Sequence, residues 1–130
     1  MKKNTQKGFT LVELLVVIAI LAILASVSVV GYTAFINKAE LSNAQTEAAQ
    51  ISDIISSALI GNDYVIVADG IYTTDGEEFV TEAPEGDKVA DLTDDLASFA
   101  SKLSVDNGVL VYTYSDKAVV NAMTGEKIDD

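Results

Sequence analysis

The sequence predicts an α+β protein in which a long N-terminal α-helix packs, by its second half, on a small antiparallel β-sheet. Two observations predict the helix. Residues 14–37 carry no charge and are mostly aliphatic, and apolar residues then recur every three to four positions up to residue 59. A third observation predicts the sheet, because residues 62–130 contain short β-branched and aromatic runs separated by Asp-Gly and Asn-Gly turns.

The composition excludes several classes of function. The 130 residues carry 8 basic and 20 acidic side chains, a net charge of −12, and an acidic body repels phosphate backbones, so we expect no direct nucleic-acid binding. Cysteine and histidine are absent, which excludes disulfides, the usual zinc sites and His-based catalysis. There is no phosphate-binding loop or nucleophile motif, and Asp94 and Asp95 are adjacent, so they would diverge on a helix. We predict neither enzymatic activity nor a cofactor.

The apolar run is long enough to cross a membrane. About 20 helical residues span the hydrocarbon core, and Lys2, Lys3 and Lys7 before the run predict a cytoplasmic N-terminus and an external body. Three other interpretations stay open: a buried core helix, a plain uncleaved anchor, and a secretory signal cleaved near residues 26–28. The missing polar stripe argues against the first, and Glu13 at the start of the run argues against the last.

Residues 8–13, with the sequence GFTLVE, follow the lysines and begin the aliphatic segment. Together with the run up to about residue 25, they resemble the N-terminus of type IV pilins, a family that includes secretion pseudopilins and competence pilins. The resemblance implies cleavage after Gly8 by a prepilin peptidase and N-methylation of the new terminal residue, Phe9. It also implies that Glu13, together with Thr10, acts when subunits assemble into a helical homo-oligomeric filament on an inner-membrane assembly platform.

Elementary electrostatics gives Glu13 a role that agrees with this resemblance. A carboxylate inside a membrane is costly unless it has a partner. After cleavage, the nearest cation is the α-amine of Phe9, whose reference pKa is about 7.7–8.0. Glu13 of one subunit can neutralise that amine on a neighbour, and a subunit packed at the wrong height would leave both charges buried. Pairing of Glu13 with the amine of its own chain is the alternative.

The helical pattern continues past Lys38 as an amphipathic helix, and Gly61 followed by two polar residues is a stop signal. We predict one helix over residues 9–60, about 78 Å long. The apolar residues of its second half share one face: Leu41, Ala44, Ala48, Ile51, Ile55, Ala58 and Leu59.

The predicted divisions are a leader (1–8), an apolar transmembrane or filament-core half of the helix (9–37), its amphipathic half (38–61) and a globular head (62–130). In the family that the N-terminus resembles, a Gly and a Pro often bend or locally melt this helix. Ala22 and Val30 stand at those positions here. We therefore expect no more than local flexibility at residues 26–31, where serines can bond back to the backbone.

The head is predicted to contain two hairpins and one short helix. Asp-Gly at 69–70 joins strands 64–68 and 71–74, and Ser-Asp at 115–116 joins strands 109–114 and 117–121. A short amphipathic helix capped near Asp87 is predicted from the spacing of Val89, Leu92, Leu96, Phe99 and Leu103.

Two segments of the head need support. The resembling family commonly closes a C-terminal loop with a disulfide, so here loop 75–87 and tail 123–130 depend on packing and hydrogen bonds. The acidic loop offers oxygen ligands for calcium but lacks EF-hand spacing, which favours a solvated loop.

These observations predict a structural subunit of a type IV pilus-like surface filament, used for adhesion, aggregation or motility. The alternatives are a pseudopilin of a secretion or DNA-uptake machine, and an anchored or secreted domain without a role in assembly. We expect a single-pass cell-membrane precursor that becomes an extracellular bacterial filament. The use of lysine without arginine suggests a low-GC Gram-positive source.

Overall fold

A computed structural model of the chain describes residues 10–128. Its first element is helix α1, Leu11–Leu59, which has 49 residues and corresponds to the predicted long helix. The chain divides into two compact units between Ile36 and Asn37, and α1 contributes residues to both. The α+β class is confirmed, and all the strands found in residues 10–128 lie in the second unit.

In the first unit, hydroxyl side chains bond back to the preceding turn of α1. Ser26 donates to the carbonyl of Ile23 at 2.8 Å, and Ser28 donates to that of Leu24 at 2.7 Å. These bonds satisfy polar groups within the helix itself, which suits an apolar segment that offers no other partners. Helix α1 is continuous through residues 26–31, and the local flexibility expected there stays a prediction.

In the second unit, α1 buries the face that the sequence predicted. Ile51 and Ile55 are fully buried, and full burial of an aliphatic side chain of this size contributes about 1.5–3 kcal/mol. Ala44 and Ala48 are buried on the same face, while Leu41, Ala58 and Leu59 pack against the core with part of their surface exposed.

The strands form two sheets rather than the single antiparallel sheet that we predicted. The first has the order β3-β2-β1-β4, with β1 Tyr64–Ala68, β2 Ile71–Thr73, β3 Phe79–Val80 and β4 Val89–Asp91. Strands β1 and β2 form the predicted antiparallel hairpin. Strand β4 runs parallel to β1, so this sheet is mixed.

The second sheet has the order β5-β6-β7 and is antiparallel throughout, with β5 Leu103–Asp106, β6 Val109–Ser115 and β7 Ala118–Asn121. The hairpin of β6 and β7 confirms the second predicted hairpin. Asn107 and Gly108 join β5 to β6 with φ of 51° and 81°, and positive φ at both positions is the signature of a type I′ turn.

The short helix predicted over residues 89–103 is wrong. That segment begins as β4, continues as turns, forms a 3₁₀ helix at Ala100–Lys102 and enters β5 at Leu103. The turns contain one α-type bond, from the amide of Leu96 to the carbonyl of Leu92 at 2.8 Å, and two 3₁₀-type bonds, from Ala97 to Asp94 at 3.3 Å and from Phe99 to Leu96 at 3.0 Å. Both leucines are buried, so the apolar spacing serves the core without a regular helix.

Hydrogen bonds hold the two segments that lack a covalent closure. The Asp63 carboxylate accepts from the backbone amides of Asp87 and Lys88, both at 2.9 Å, and so closes the end of loop 75–87. A Cβ on Gly86 would lie 2.5 Å from Cβ of Asp63, so this close approach requires glycine. In the tail, the side-chain amide of Gln45 donates to the Gly125 carbonyl at 3.0 Å.

Candidate assembly surface

Thr10 fixes the start of α1. Its Oγ1 accepts a hydrogen bond from the backbone amide of Glu13 at 3.1 Å, and its carbonyl accepts from the amide of Leu14 at 3.1 Å. This is the geometry of a helix N-cap, in which a threonine side chain satisfies one of the free amides of the first turn. The sequence proposal for Thr10 is a role in assembly, and the geometry adds a local structural role.

Glu13 lies in the first turn of α1, where a negative charge interacts favourably with the helix dipole. Its side chain is exposed. Among residues 10–128, no side chain is paired with its carboxylate by a hydrogen bond or an ion pair. Glu13 is therefore a single charge, without a described partner, at the start of an apolar helical surface.

Gly8, Phe9, Lys2, Lys3 and Lys7 lie outside the described residues. The predicted cleavage site, the methylation site and the leader charges therefore stay sequence-based predictions. The pairing of Glu13 with the Phe9 amine also stays a sequence-based prediction.

The apolar surface of the first unit extends around the whole helix. Every large hydrophobic side chain from Leu11 to Phe35 is exposed, with exposed fractions between 45% and 73%. By length and composition α1 is able to cross a membrane. Soluble monomers rarely expose contiguous apolar patches above a few hundred Å². We therefore expect this surface to be covered by lipid or by another apolar protein surface.

In the second unit, polar side chains of α1 attach the second sheet. The hydroxyl of Tyr112 donates to the Glu47 carboxylate at 2.6 Å, and the hydroxyl of Ser115 donates to Glu40 at 3.2 Å. Burial of the Tyr112 hydroxyl raises its pKa far above the ordinary value. The hydrogen bond to Glu47 and the negative charge of Glu47 raise this pKa further. Sequence reasoning missed these pairs because the partners are 65 and 75 residues apart, and no local signal joins them.

The acidic loop is organised by its own backbone. Asp75 accepts from the amides of Glu78 at 3.0 Å and Glu77 at 2.8 Å, and these bonds lower the pKa of its carboxyl. Thr73, which is fully buried, donates to the Glu78 carbonyl at 2.7 Å and accepts from the Gly76 amide at 2.9 Å. Within residues 10–128, no group of three or more acidic side chains is placed to hold a metal ion.

The chain is similar to a known N-terminal motif and to several known fimbrial proteins. Residues 3–29 match the model of the prokaryotic N-terminal methylation motif. The chain is 33% identical over 123 residues to a fimbrial protein of Neisseria meningitidis, which covers 95% of this chain and 64% of that protein. It is 38% identical over 58 residues to the type IV major fimbrial protein FimA of Dichelobacter nodosus, covering 45% and 37%. With a fimbrial protein of Moraxella nonliquefaciens the identity is 46% over 54 residues, covering 42% and 35%. No solved structure matches the chain.

A long helix that is apolar on all sides in its first part and packs on small sheets in its second defines a pilin-like fold. The methylation motif and the fimbrial relatives support the type IV pilin family for this chain. The matched region spans between about a third and two thirds of the length of these relatives. They come from Gram-negative bacteria, so the comparisons give the suggested Gram-positive source no support.

Proposed function

We propose that this chain is the structural subunit of a type IV pilus-like surface filament for adhesion, aggregation or motility. A prepilin peptidase would cleave it after Gly8, and Phe9 would then be N-methylated. The subunit would be inserted once in the cell membrane and then polymerise through its N-terminal helix on an inner-membrane assembly platform. The relatives are named as fimbrial proteins or pilins and not as enzymes, which favours this function over catalysis.

The observation that carries the proposal is the exposed apolar surface of α1 between Leu11 and Phe35. A bilayer can cover this surface before assembly, and the same surfaces of neighbouring subunits can cover it afterwards. One helix can therefore serve both stages without refolding. Packing among such helices relies on close contact, since lipid tails are as apolar as the helices themselves.

Glu13 gives that packing its register in our proposal. It is the only ionised side chain expected between residues 10 and 37. If the Phe9 amine of a neighbour lies beside it, both charges are compensated, and a shifted subunit leaves both uncompensated. Breaking a buried ion pair by removing one partner costs about 3–5 kcal/mol, enough to select one register among several.

The first experiment is mass spectrometry of the intact chain and its N-terminal peptide, from cell membranes and from filaments sheared off the surface. We expect a chain that starts at methylated Phe9 in both fractions. A processed chain confined to membranes would favour the pseudopilin alternative. A chain that starts at Met1 and is absent from sheared material would contradict the proposal.

Variants at Glu13 test the register role separately from processing. We expect Glu13→Val to be inserted and cleaved but to give few sheared filaments, because the amine of the neighbour loses its partner. Glu77→Val is the matched control, since it makes the same change at an exposed glutamate of the acidic loop and leaves the charge pair intact. Its filament yield should fall less. Normal filament yield from Glu13→Val would refute the charge-pairing role.

A further inference from the structure

The first sheet has an apolar face that is not part of the core. Residues paired directly across strands point to the same face, so the pairing divides the sheet into two faces. One face contributes Val65 and Phe79 to the hydrophobic cluster that also contains the buried residues of α1. The other face, which we call the outer face, consists of Tyr64, Ile66, Tyr72, Val80, Val89 and Asp91. A sheet face turned to water normally carries polar side chains, and here only Asp91 is charged.

The side chains of the outer face are accessible and have few partners of their own. The rings of Tyr64 and Tyr72 pack edge-on with centroids 6.1 Å apart, and within residues 10–128 their hydroxyls make no hydrogen bond. Val80 and Val89, at the two edges of the sheet, are 38% and 36% exposed. Asp91 lies on the edge strand β4 and already accepts two hydrogen bonds within its own turn. The outer face therefore presents mainly aromatic and aliphatic surface.

Carboxylates surround this uncharged face. Every acidic residue of the chain but one lies in the second unit. The connection from β3 to β4 runs along the end of the face where β1 begins, because its first part lines a cavity with Thr74 and its Gly86 approaches Asp63. Glu82 and Glu85 on this connection are exposed. Two copies of the second unit therefore repel each other, and they do so least where their outer faces meet.

The outer face also has a defined direction. It points away from α1, because the opposite face of the sheet packs on α1. In a filament whose core is formed by the α1 helices, it is directed away from that core. A neighbouring filament can then reach it without any change in the fold.

We propose that the outer faces of subunits in neighbouring filaments pack against each other and join the filaments side by side. The occupant of the outer face is thus a second copy of this chain. A cationic partner would be drawn to the surrounding carboxylates rather than to this face. A flat polysaccharide suits it less, since the two tyrosine rings are inclined by 69° and share no plane. The inference rests on the proposed filament and assigns its aggregation to one surface.

The contact is expected to be weak in a single pair of subunits and strong between filaments. A stable interface uses about 20–30 residues from each partner, several times more than the outer face offers. Filaments present this face once in every subunit, and contacts repeated along two filaments reinforce each other. Side-by-side association should therefore require assembled filaments.

The experiment uses filaments sheared from cells, with the yield of each preparation measured first. Side-by-side association is the fraction that sediments at low speed, checked by the width of the bundles in electron microscopy. The salt concentration is raised from about 0.01 M to about 0.15 M, which shortens the screening length from about 30 Å to about 8 Å. We expect association to rise with salt, because screening weakens the repulsion between carboxylates and leaves the apolar contact in place.

The variants Val80→Lys and Val89→Lys place a charge at the two edges of the outer face. We expect the filament concentration at half-maximal bundling to rise about tenfold in each, since every repeated contact is weakened. Ile60→Lys is the matched control, because Ile60 is 81% exposed and lies outside the outer face. It should bundle at least as readily as the wild type. An added lysine lowers the negative charge of the chain, so repulsion alone predicts stronger bundling in all three variants.

Wild-type filaments that stay single at every salt concentration would overturn the proposal. Bundling that falls as salt rises would overturn it in favour of ion pairs. Bundling of the valine variants equal to that of Ile60→Lys would assign association to net charge instead. If a lysine variant yields too few filaments, the double variant Val80→Thr/Val89→Thr keeps the strand propensity and must also weaken bundling. A wild-type chain that gives no sheared filaments would refute the proposed filament itself, so the two kinds of failure are distinguishable.

Discussion

Replacing Tyr112 with phenylalanine removes one oxygen from the interface between α1 and the second sheet. The ring of Tyr112 is buried and packs edge-on against Phe99, with ring centroids 5.8 Å apart, and the substitution keeps that contact. The hydroxyl donates to the Glu47 carboxylate at 2.6 Å. Tyr112→Phe therefore tests one polar contact and leaves the packing in place.

The size of the effect follows from the charge of the acceptor. A hydrogen bond to a charged group contributes about 1.5–3 kcal/mol to stability. Glu47 is half-buried, so water can replace part of the lost bond, and we expect the free energy of unfolding to fall by about 2 kcal/mol. In a domain of this size that corresponds to a melting temperature lower by about 10 °C.

The assay is thermal and urea unfolding of the full chain in mild detergent, followed by near-ultraviolet circular dichroism. Tyr72→Phe is the matched control: its ring also packs edge-on, against Tyr64 at 6.1 Å, and its hydroxyl makes no hydrogen bond within residues 10–128. The control should lose less than about 0.5 kcal/mol. Equal losses in the two variants would refute the reasoning.

Alkaline pH gives the same contact a second readout. Because burial and Glu47 raise the pKa of Tyr112 in the folded state, its contribution is fully present below the unfolded pKa of about 10. The contribution is lost as pH rises above that value. The stability gap between the wild-type chain and Tyr112→Phe should therefore shrink above about pH 10, and a gap that widens there would contradict this assignment.

Three further predictions concern the second unit, each measured by urea unfolding. Ile55→Ala should cost about 2–5 kcal/mol because Ile55 is fully buried, whereas Ile60→Ala, at a position 81% exposed, should cost almost nothing. Thr73→Val should cost about 1–3 kcal/mol, since it leaves the Glu78 carbonyl without its donor, and Thr73→Ser should restore most of the loss. The pKa of Asp75 is lowered by the backbone amide of Glu78 and that of the residue before it, so its contribution is present above about pH 4 and lost as pH falls further. Asp75→Asn should make the acid side of the stability profile less steep, and an unchanged profile would refute that role.

The periodic parts of the fold could be predicted from the sequence. Ile51 and Ile55 lie on the face that their spacing assigned to the core. The turn at Asp69 and Gly70 connects the expected strands. These features depend on neighbours in sequence, where helix and hairpin geometry fix which residues meet.

The structural predictions that were wrong concern segments whose partners lie far away in the sequence. Val89, Leu92 and Leu96 have helical spacing, yet Val89 begins a strand that pairs in parallel with β1. A parallel pair has no turn signal, because a long connection separates its strands. The hydrogen bonds from Tyr112 to Glu47 and from Ser115 to Glu40 likewise join residues 65 and 75 positions apart in the sequence, and only the fold brings them together.

The closure of the acidic loop by Asp63 has a consequence for how freely this protein can vary. Residues 81–86 lie between β3 and that closure, and all except the half-buried Pro84 are exposed. Doubling the length of a flexible loop costs only about 0.6 kcal/mol in closure entropy. Substitutions and insertions before Gly86 can therefore accumulate without unfolding the unit. In this segment, related chains can differ in sequence and length with little loss of stability, and a foreign peptide could be displayed there.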